Sequence, residues 1–271
     1  MPDLGRYWRT LATGLCFLIF TAGALFLSCG LLPLIAWVTR DRAVLRRRTR
    51  FFVQKFFRFI TCLAEAAGCM RLKVEGVERL RAAGGVLIFA NHPTLIDVVV
   101  LMGLIPQANC VIKSALFRKT ALGRTLRSAG YVENADSAVL VEACCRSMDE
   151  GHAVIVFPEG TRTSPGQPLA FQRGPAHLLL ASRRPFLPVV IRCRPAALLK
   201  AQPWYQVPER RFELELTVLE PVTAEDWEQV VAAQPRPLAA RNLTRHLERF
   251  FMSHTSLQDV PCPPSAKSSS R

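Results

Sequence analysis

From Leu11 to Val38 the chain runs 28 residues without a charge, LATGLCFLIFTAGALFLSCGLLPLIAWV. About 20 helical residues cross the roughly 30 Å hydrocarbon core of a bilayer, so this run predicts a membrane helix. Pro33 leaves room for a kinked or re-entrant path. A cleaved leader fits less well, because the apolar run is too long and a basic block follows it. Over residues 43–67 the pattern changes. Leu45, Phe52, Phe56, Phe59, Ile60 and Leu63 recur at three- and four-residue spacing with Arg and Lys between them. That composition predicts an amphipathic helix lying in the membrane interface. The alternative is a helix that packs its Phe residues onto a domain core.

From Leu72 onward, short apolar runs alternate with helical stretches and turn residues. Val86–Ala90, Cys110–Lys113, Ala153–Phe157 and Leu187–Arg192 read as buried strands. A helix is expected from about Thr94 to Met102, and another capped by Asp136 that ends at Gly151. Phe212, Leu214, Leu216 and Val218 alternate with charged residues, which predicts a half-exposed edge strand over 211–220. Residues 225–252 read as helical, and the terminal PCPPSAKSSSR as disordered. Near-continuous Val/Ile strands alternating with helices indicate an α/β domain whose sheet is covered on both faces. The organisation expected is a membrane anchor with basic flanks over 1–42, the amphipathic interfacial helix over 43–70, the α/β domain over 71–255 and a disordered tail over 256–271.

Charge changes this picture by its placement. The 271 residues carry a net +14, yet residues 1–60 alone hold ten Lys/Arg against Asp3 and Asp41. Basicity gathered around an apolar segment favours anionic lipid over nucleic acid as the partner. Eight of the ten lie between Arg40 and Arg58, so the positive-inside rule puts the C-terminal side in the cytoplasm. Nine cysteines without a Cys-x-x-Cys suit a reducing compartment. The expected location is therefore the cytoplasmic (inner) membrane, with the α/β domain on its cytoplasmic face.

Two predicted strands end in polar clusters, where α/β sheets collect ligands. The first is Asn91-His92-Pro93-Thr94-Leu95-Ile96-Asp97. If a helix begins at Pro93, Asp97 lies about one turn inside it and can face a ring nitrogen of His92, making the imidazole a stronger general base. Taken alone, the pair reads equally as a His before a helix with an Asp favoured by the helix dipole. The second is Pro158-Glu159-Gly160-Thr161-Arg162-Thr163, where a glycine, two hydroxyls and a guanidinium suit a phosphate. The chain has no Gly-x-Ser-x-Gly elbow, no phosphate loop of the GxxxxGK[ST] kind and no His pair at metal-ligand spacing. A base without a protein nucleophile to activate points to a substrate hydroxyl.

Together these blocks resemble the glycerolipid acyltransferase family, from roughly Leu72 to Val222. Asn91 to Asp97 is similar to its Asn-His-x-x-x-x-Asp block, and Phe157 to Arg162 matches its Phe-Pro-Glu-Gly-Thr-Arg block. Lys113 to Phe117 with Gly130-Tyr131-Val132 resembles a second block, while Phe171 to Gly174 and Leu187 to Val190 resemble later ones. The resemblance implies a mixed, mostly parallel sheet flanked by helices, preceded by an N-terminal membrane helix and an amphipathic interfacial helix. It also implies transfer of a fatty acyl group from acyl-CoA or acyl-ACP, as co-substrate, to the free hydroxyl of a lyso-glycerolipid in phospholipid biosynthesis. The acceptor first expected is 1-acyl-sn-glycerol-3-phosphate.

In that reading His92 is the base and Asp97 orients it, while Glu159, Gly160, Thr161 and Arg162 hold the acceptor. Lys113 joins the substrate site, and Leu187 to Val190 help line the acyl or thioester pocket. No metal and no further cofactor are implied. One departure stands out: the family carries a basic residue shortly after the Gly-aromatic-aliphatic stretch, where this chain has Glu133 and Asn134. Arg124 or Arg127 is the candidate to compensate. Otherwise the acceptor is another lyso-lipid, such as a lyso-ornithine lipid. A non-catalytic membrane lipid-binding protein of the same fold is the remaining alternative.

Overall fold

The computed structural model describes residues 4–119, 122–134, 137–163, 167–232 and 234–255. The expected cap at Asp136 and the expected tail over 256–271 lie outside these. In chain order the elements are helices α1 (Leu4–Phe26), α2 (Leu32–Val38) and α3 (Arg42–Ala66), strand β1 (Met70–Glu75), α4 (Val77–Ala82), β2 (Leu87–Ala90) and α5 (Asp97–Leu104). Then come β3 (Asn109–Lys113), α6 (Ser114–Lys119), α7 (Gly123–Ala129), β4 (Val132–Asn134), α8 (Ser137–Asp149) and β5 (Val154–Val156). The chain continues with α9 (Arg173–Ser182), β6 (Phe186–Arg194), β7 (Phe212–Val218), α10 (Ala224–Glu228) and α11 (Arg236–His254).

The seven strands form one sheet in the order β1-β7-β6-β2-β5-β3-β4. Every neighbouring pair is parallel except β6 with β7. The sheet is therefore mixed and mostly parallel, as the resemblance implied. Its centre is buried on both faces, because β2 places Ile88 and Ala90 toward α3 and α5, and Leu87 and Phe89 toward α8, α9 and α11. The run over 211–220 is half-exposed as its alternation predicts, but it is no edge. β7 lies between β6 and β1, and β1 takes the edge. β1 pairs in register with β7 from Met70 opposite Phe212 to Glu75 opposite Thr217. The outward face of this pair is polar, with Lys73 Nζ 2.5 Å from Glu213 Oε1. The expected helix over 225–252 is divided into α10 and α11, where Pro235 and Pro237 interrupt the backbone hydrogen bonding.

The 35 residues Leu4–Val38 form one long apolar helical run, long and apolar enough by composition to cross a membrane. It is interrupted by a π-turn over Leu27–Leu31, in which the Leu32 N–H reaches back to the Leu27 carbonyl. Pro33 follows directly, and the wider turn separates its ring from the preceding carbonyls. One side of α1 is committed to protein. A Cβ at Gly23 would stand 2.4 Å from the Phe56 ring of α3, and one at Gly14 would stand 2.9 Å from the Trp204 ring. The other side exposes Leu11, Leu15, Leu18 and Phe26.

Residues 43–67 are helical as expected, and the reading of a helix packed on the domain core finds expression in α3. Val53 and Ala64 enter the domain core, Phe52 and Phe56 pack toward α1 and α2, and Phe51 and Phe59 point outward. Arg50 is 3% exposed and donates from Nε to the Ala129 carbonyl at 2.7 Å, fastening α3 to the end of α7. Burial lowers the pKa of its guanidinium below the usual value.

One side chain ties the sheet together beneath the site. The pairing of β2 with β6 ends at Ala90 opposite Val189. Beyond it the Asn91 amide continues the ladder, donating to the Ile191 carbonyl at 2.8 Å and accepting from the Ile191 N–H at 2.7 Å. Asn91 is 3% exposed, so no water is at hand to replace it. Asn91→Leu leaves a buried donor and a buried acceptor unpaired and is expected to lower stability by about 2 kcal/mol or more. Denaturant unfolding of the detergent-solubilised protein measures this; an unchanged midpoint would remove Asn91 as a structural tie.

Candidate active site

Four adjacent strands, β2, β5, β3 and β4, run parallel, so their carboxyl ends share one edge of the sheet. That edge holds the polar clusters. After β2 the chain does not enter a helix at Pro93. α5 starts only at Asp97, because the Asp97 carboxylate organises the turn in front of it. Its Oδ2 accepts from the Thr94 N–H at 2.7 Å and lies 2.9 Å from His92 Nδ1, while Oδ1 accepts from Thr94 Oγ1 at 2.5 Å. Asp97 has no solvent exposure, and these donors compensate a charge otherwise costly to bury. Asp97 holds His92 by Nδ1, so Nε2 is the ring nitrogen left to meet a substrate. The imidazole stacks on Phe157, with ring centroids 4.3 Å apart.

The β5 turn interlocks with the β2 turn. The Thr163 N–H donates to the His92 carbonyl at 2.9 Å. Glu159 Oε1 accepts from the His92 N–H and from Thr163 Oγ1, each at 3.0 Å. Glu159 is 5% exposed, and its Oε2 is buried with no hydrogen-bond partner among the described residues. Burial raises the pKa of its carboxyl above the usual carboxylate value, and the donors from its own backbone, His92 and Thr163 offset part of that rise. Gly160 adopts a left-handed backbone, φ +66°, and a Cβ there would press on Gln172 Cγ at 3.3 Å. A side chain at this position would strain the turn and crowd its neighbour.

A cleft of about 430 Å³ opens over this edge. His92, Gly160, Thr161 and Arg162 line it from the two turns, Lys113 from the end of β3 and Asn134 from the end of β4. Lys200, from the connection between β6 and β7, completes the cationic side. Lys113, Arg162 and Lys200 thus face a space that, among the described residues, no carboxylate lines. Such a field suits an anionic ligand. Arg162 is also anchored: its Nη1 donates to the Leu199 carbonyl at 3.1 Å and the Leu198 carbonyl at 3.3 Å.

The structure thus brings together His92, Asp97, Gly160, Thr161, Arg162 and Lys113, all named from sequence. Three expectations are placed differently. Glu159 does not line the cleft; it brackets the two turns from beneath. Arg127 does not reach the cleft either, since its Nη1 donates to the Phe117 carbonyl at 2.8 Å and braces α6 against α7. Leu187, Val189 and Val190 are core residues of β6, each at most 3% exposed. Asn134, where a basic residue was expected, does face the cleft. Thr94, Phe157 and Lys200 escaped sequence reading. Thr94 lay inside the first motif and carried a readable signal, a hydroxyl three residues before an Asp; Lys200 lay in no motif.

With this geometry in hand, comparison with known proteins is direct. Residues 71–192 match the family model described as Acyltransferase. The chain is 27% identical over 183 residues to mouse 1-acyl-sn-glycerol-3-phosphate acyltransferase alpha, covering 63% of this chain and 61% of that protein. It is 26% identical over 150 residues to the coconut 1-acyl-sn-glycerol-3-phosphate acyltransferase, covering 53% and 47%. The chain therefore spans about half the length of these relatives. The crystal structure of the 1-acyl-sn-glycerophosphate (LPA) acyltransferase PlsC from Thermotoga maritima superposes with a TM-score of 0.65 over 94% of this chain and 98% of that one, at 19% identity, and so shares the fold. Motif order, sheet topology and family match agree: over residues 71–192 this chain resembles the acyltransferase family.

Proposed function

We propose that the protein is a membrane-bound O-acyltransferase that moves a fatty acyl group from an acyl thioester, of coenzyme A or acyl carrier protein, to the free hydroxyl of 1-acyl-sn-glycerol-3-phosphate. The observation that carries this reading is the His92–Asp97 pair opening onto a cleft lined by three cations and, among the described residues, by no carboxylate. His92 Nε2 takes the hydroxyl proton as the acceptor oxygen attacks the thioester carbonyl. Asp97 stabilises the imidazolium that forms. Collapse of the tetrahedral intermediate breaks the carbon–sulfur bond, and the imidazolium returns the proton to the thiolate. The products are the diacyl lipid and the free thiol, with no acyl-enzyme on the path.

A second cavity, of about 170 Å³, supports a lipid substrate. It lies between α1, α3 and the catalytic turn, and Phe17, Phe20, Ile60, Leu95 and Ile96 are among its apolar lining. Such walls fit an alkyl chain and offer little to a polar group. Membrane attachment through α1 and α2 is part of the same reading. The exposed apolar row on α1 would meet lipid, while the basic residues between Arg40 and Arg58 would meet anionic headgroups at the cytoplasmic face of the inner membrane. A helix with its other side packed on α3 and Trp204 contacts lipid on one face.

His92→Ala is expected to lower the rate of acyl transfer by about 10²–10⁴-fold, the span of a positioned general base. Membranes carrying wild type or variant would receive labelled acyl-CoA or acyl-ACP with lysophosphatidic acid, and phosphatidic acid would be identified by mass. Full activity in the variant overturns the assigned base. At Glu159 the geometry separates two substitutions. Glu159→Gln keeps an oxygen for the His92 N–H and should retain kcat within about tenfold; Glu159→Ala leaves that N–H and Thr163 Oγ1 without an acceptor and should lose on the order of 10²-fold. Equal losses in both would instead mean that the negative charge itself is required. For attachment, replacing Leu11, Leu15 and Leu18 together by Asp should abolish flotation with anionic vesicles, since a charge in hydrocarbon costs several kcal/mol. Undiminished flotation of that variant would move the anchor elsewhere.

A further inference from the structure

Lys200 belongs to neither catalytic turn, yet it lines the cleft alongside His92, Lys113, Asn134 and Arg162. The segment that carries it, residues 195–211, joins β6 to β7 and is held at several points. The Leu198 carbonyl accepts from the Leu95 N–H at 3.0 Å and from Arg162 Nη1 at 3.3 Å, so the β2 and β5 turns both grip it. The Leu199 carbonyl takes a second bond from Arg162 at 3.1 Å, and the Leu199 N–H donates to Gln202 Oε1 at 3.0 Å. Leu198 and Ala201 on either side of Lys200 are left-handed, with φ of 53° and 63°. Side chains adopt that backbone only where the surroundings impose it. Farther along, Trp204 seats against α1, its ring 6.2 Å from that of Phe17 and in contact with Gly14. A lysine on a segment fixed from both sides is presented to the cleft by the fold.

Position 134 is the complementary observation. Asn134 lines the same cleft at the end of β4 and brings no charge to it. We infer that Lys200 binds the phosphomonoester of the acceptor and supplies from the β6–β7 connection the positive charge that position 134 lacks. This rests on the acyltransferase reading above and names a residue that determines which headgroup the site accepts. Arg162 has a double part in it, because the same guanidinium that faces the cleft holds the two carbonyls just before Lys200. Among the described residues no carboxylate lines the cleft, so the positive field of Lys113, Arg162 and Lys200 favours a ligand that brings negative charge.

The test uses the full chain in mixed micelles, with acyl thioester fixed and lysophosphatidic acid varied, then the reverse. Lys200→Gln should raise KM for lysophosphatidic acid about tenfold or more, the loss of one charge-assisted contact, while KM for the thioester stays within twofold. Lys200→Arg should hold the acceptor KM within a few-fold of wild type. Asn134→Arg placed in the Lys200→Gln background should recover most of the lost acceptor affinity, because charge returns to the same cleft from the opposite side. An acceptor KM unchanged by Lys200→Gln, or a loss falling on the thioester instead, overturns the role of Lys200 while leaving the acyltransferase reading intact. Wild-type protein that acylates no lysophosphatidic acid overturns both, which keeps the two failures distinguishable.

Discussion

A carboxylate with no contact with water governs this site. Asp97 is the first residue of α5, and it collects the Thr94 N–H, the Thr94 hydroxyl and His92 Nδ1 before the helix begins. Its burial makes those bonds obligatory, because an unpaired charge at that depth would be far costlier than the turn it imposes. The orientation of His92 follows from it. So does the path of Leu95, whose N–H meets the Leu198 carbonyl and locates the β6–β7 connection. A structural need, satisfying a buried anion, and a chemical one, presenting Nε2, are met by the same three bonds.

The second buried carboxylate works differently. Glu159 accepts from the His92 backbone and from Thr163 with one oxygen and leaves the other without a partner among the described residues. It ties the turn after β5 to the turn after β2, two strands that already pair side by side in the sheet. The cross-link fixes the distance between His92 and the loop that carries Arg162 more firmly than the short β5, of three residues, could alone. Its raised pKa is the consequence of burial in that structural position. A carboxylate turned inward also removes the repulsion it would exert on a phosphate from within the cleft.

What the sequence makes legible follows from how each feature is encoded. β2, β5 and β6 are runs of buried apolar residues, and their polar ends are visible as breaks in those runs, so the site strands are readable in order. The His-Asp pair is readable because local chain geometry brings residues five apart together. β1 escapes because MRLKVE alternates like any exposed segment and becomes a strand only through its pairing with β7. The inward turn of Glu159 escapes because it depends on the His92 N–H, 67 residues away. Lys200 is invisible for the same reason: a lysine in a Pro-rich connection looks solvated until Leu95, Arg162 and Trp204 fix where that connection runs. The aromatics of α3 are divided between outward-facing Phe51 and Phe59 and inward-packed Phe52, Phe56 and Phe57, and a single periodicity does not separate three faces.

The two cavities flank the turn after β2, each taking different residues of it as lining. His92 lines the cationic cleft, while Leu95 and Ile96, three and four residues on, line the apolar cavity beside α1. A boundary between cationic and apolar lining therefore falls within this turn, and the cleft itself adds apolar walls at Leu116, Leu140 and Leu178. In a lyso-glycerolipid the free hydroxyl sits at such a boundary, with a phosphate on one side and an acyl chain on the other. A soluble polyol phosphate would leave the apolar walls unused, and a neutral long-chain alcohol would leave the cationic side uncompensated. α1 forms one wall of the apolar cavity and also seats the connection that carries Lys200. The same helix thus contributes to the apolar cavity directly and to the cationic cleft through Trp204.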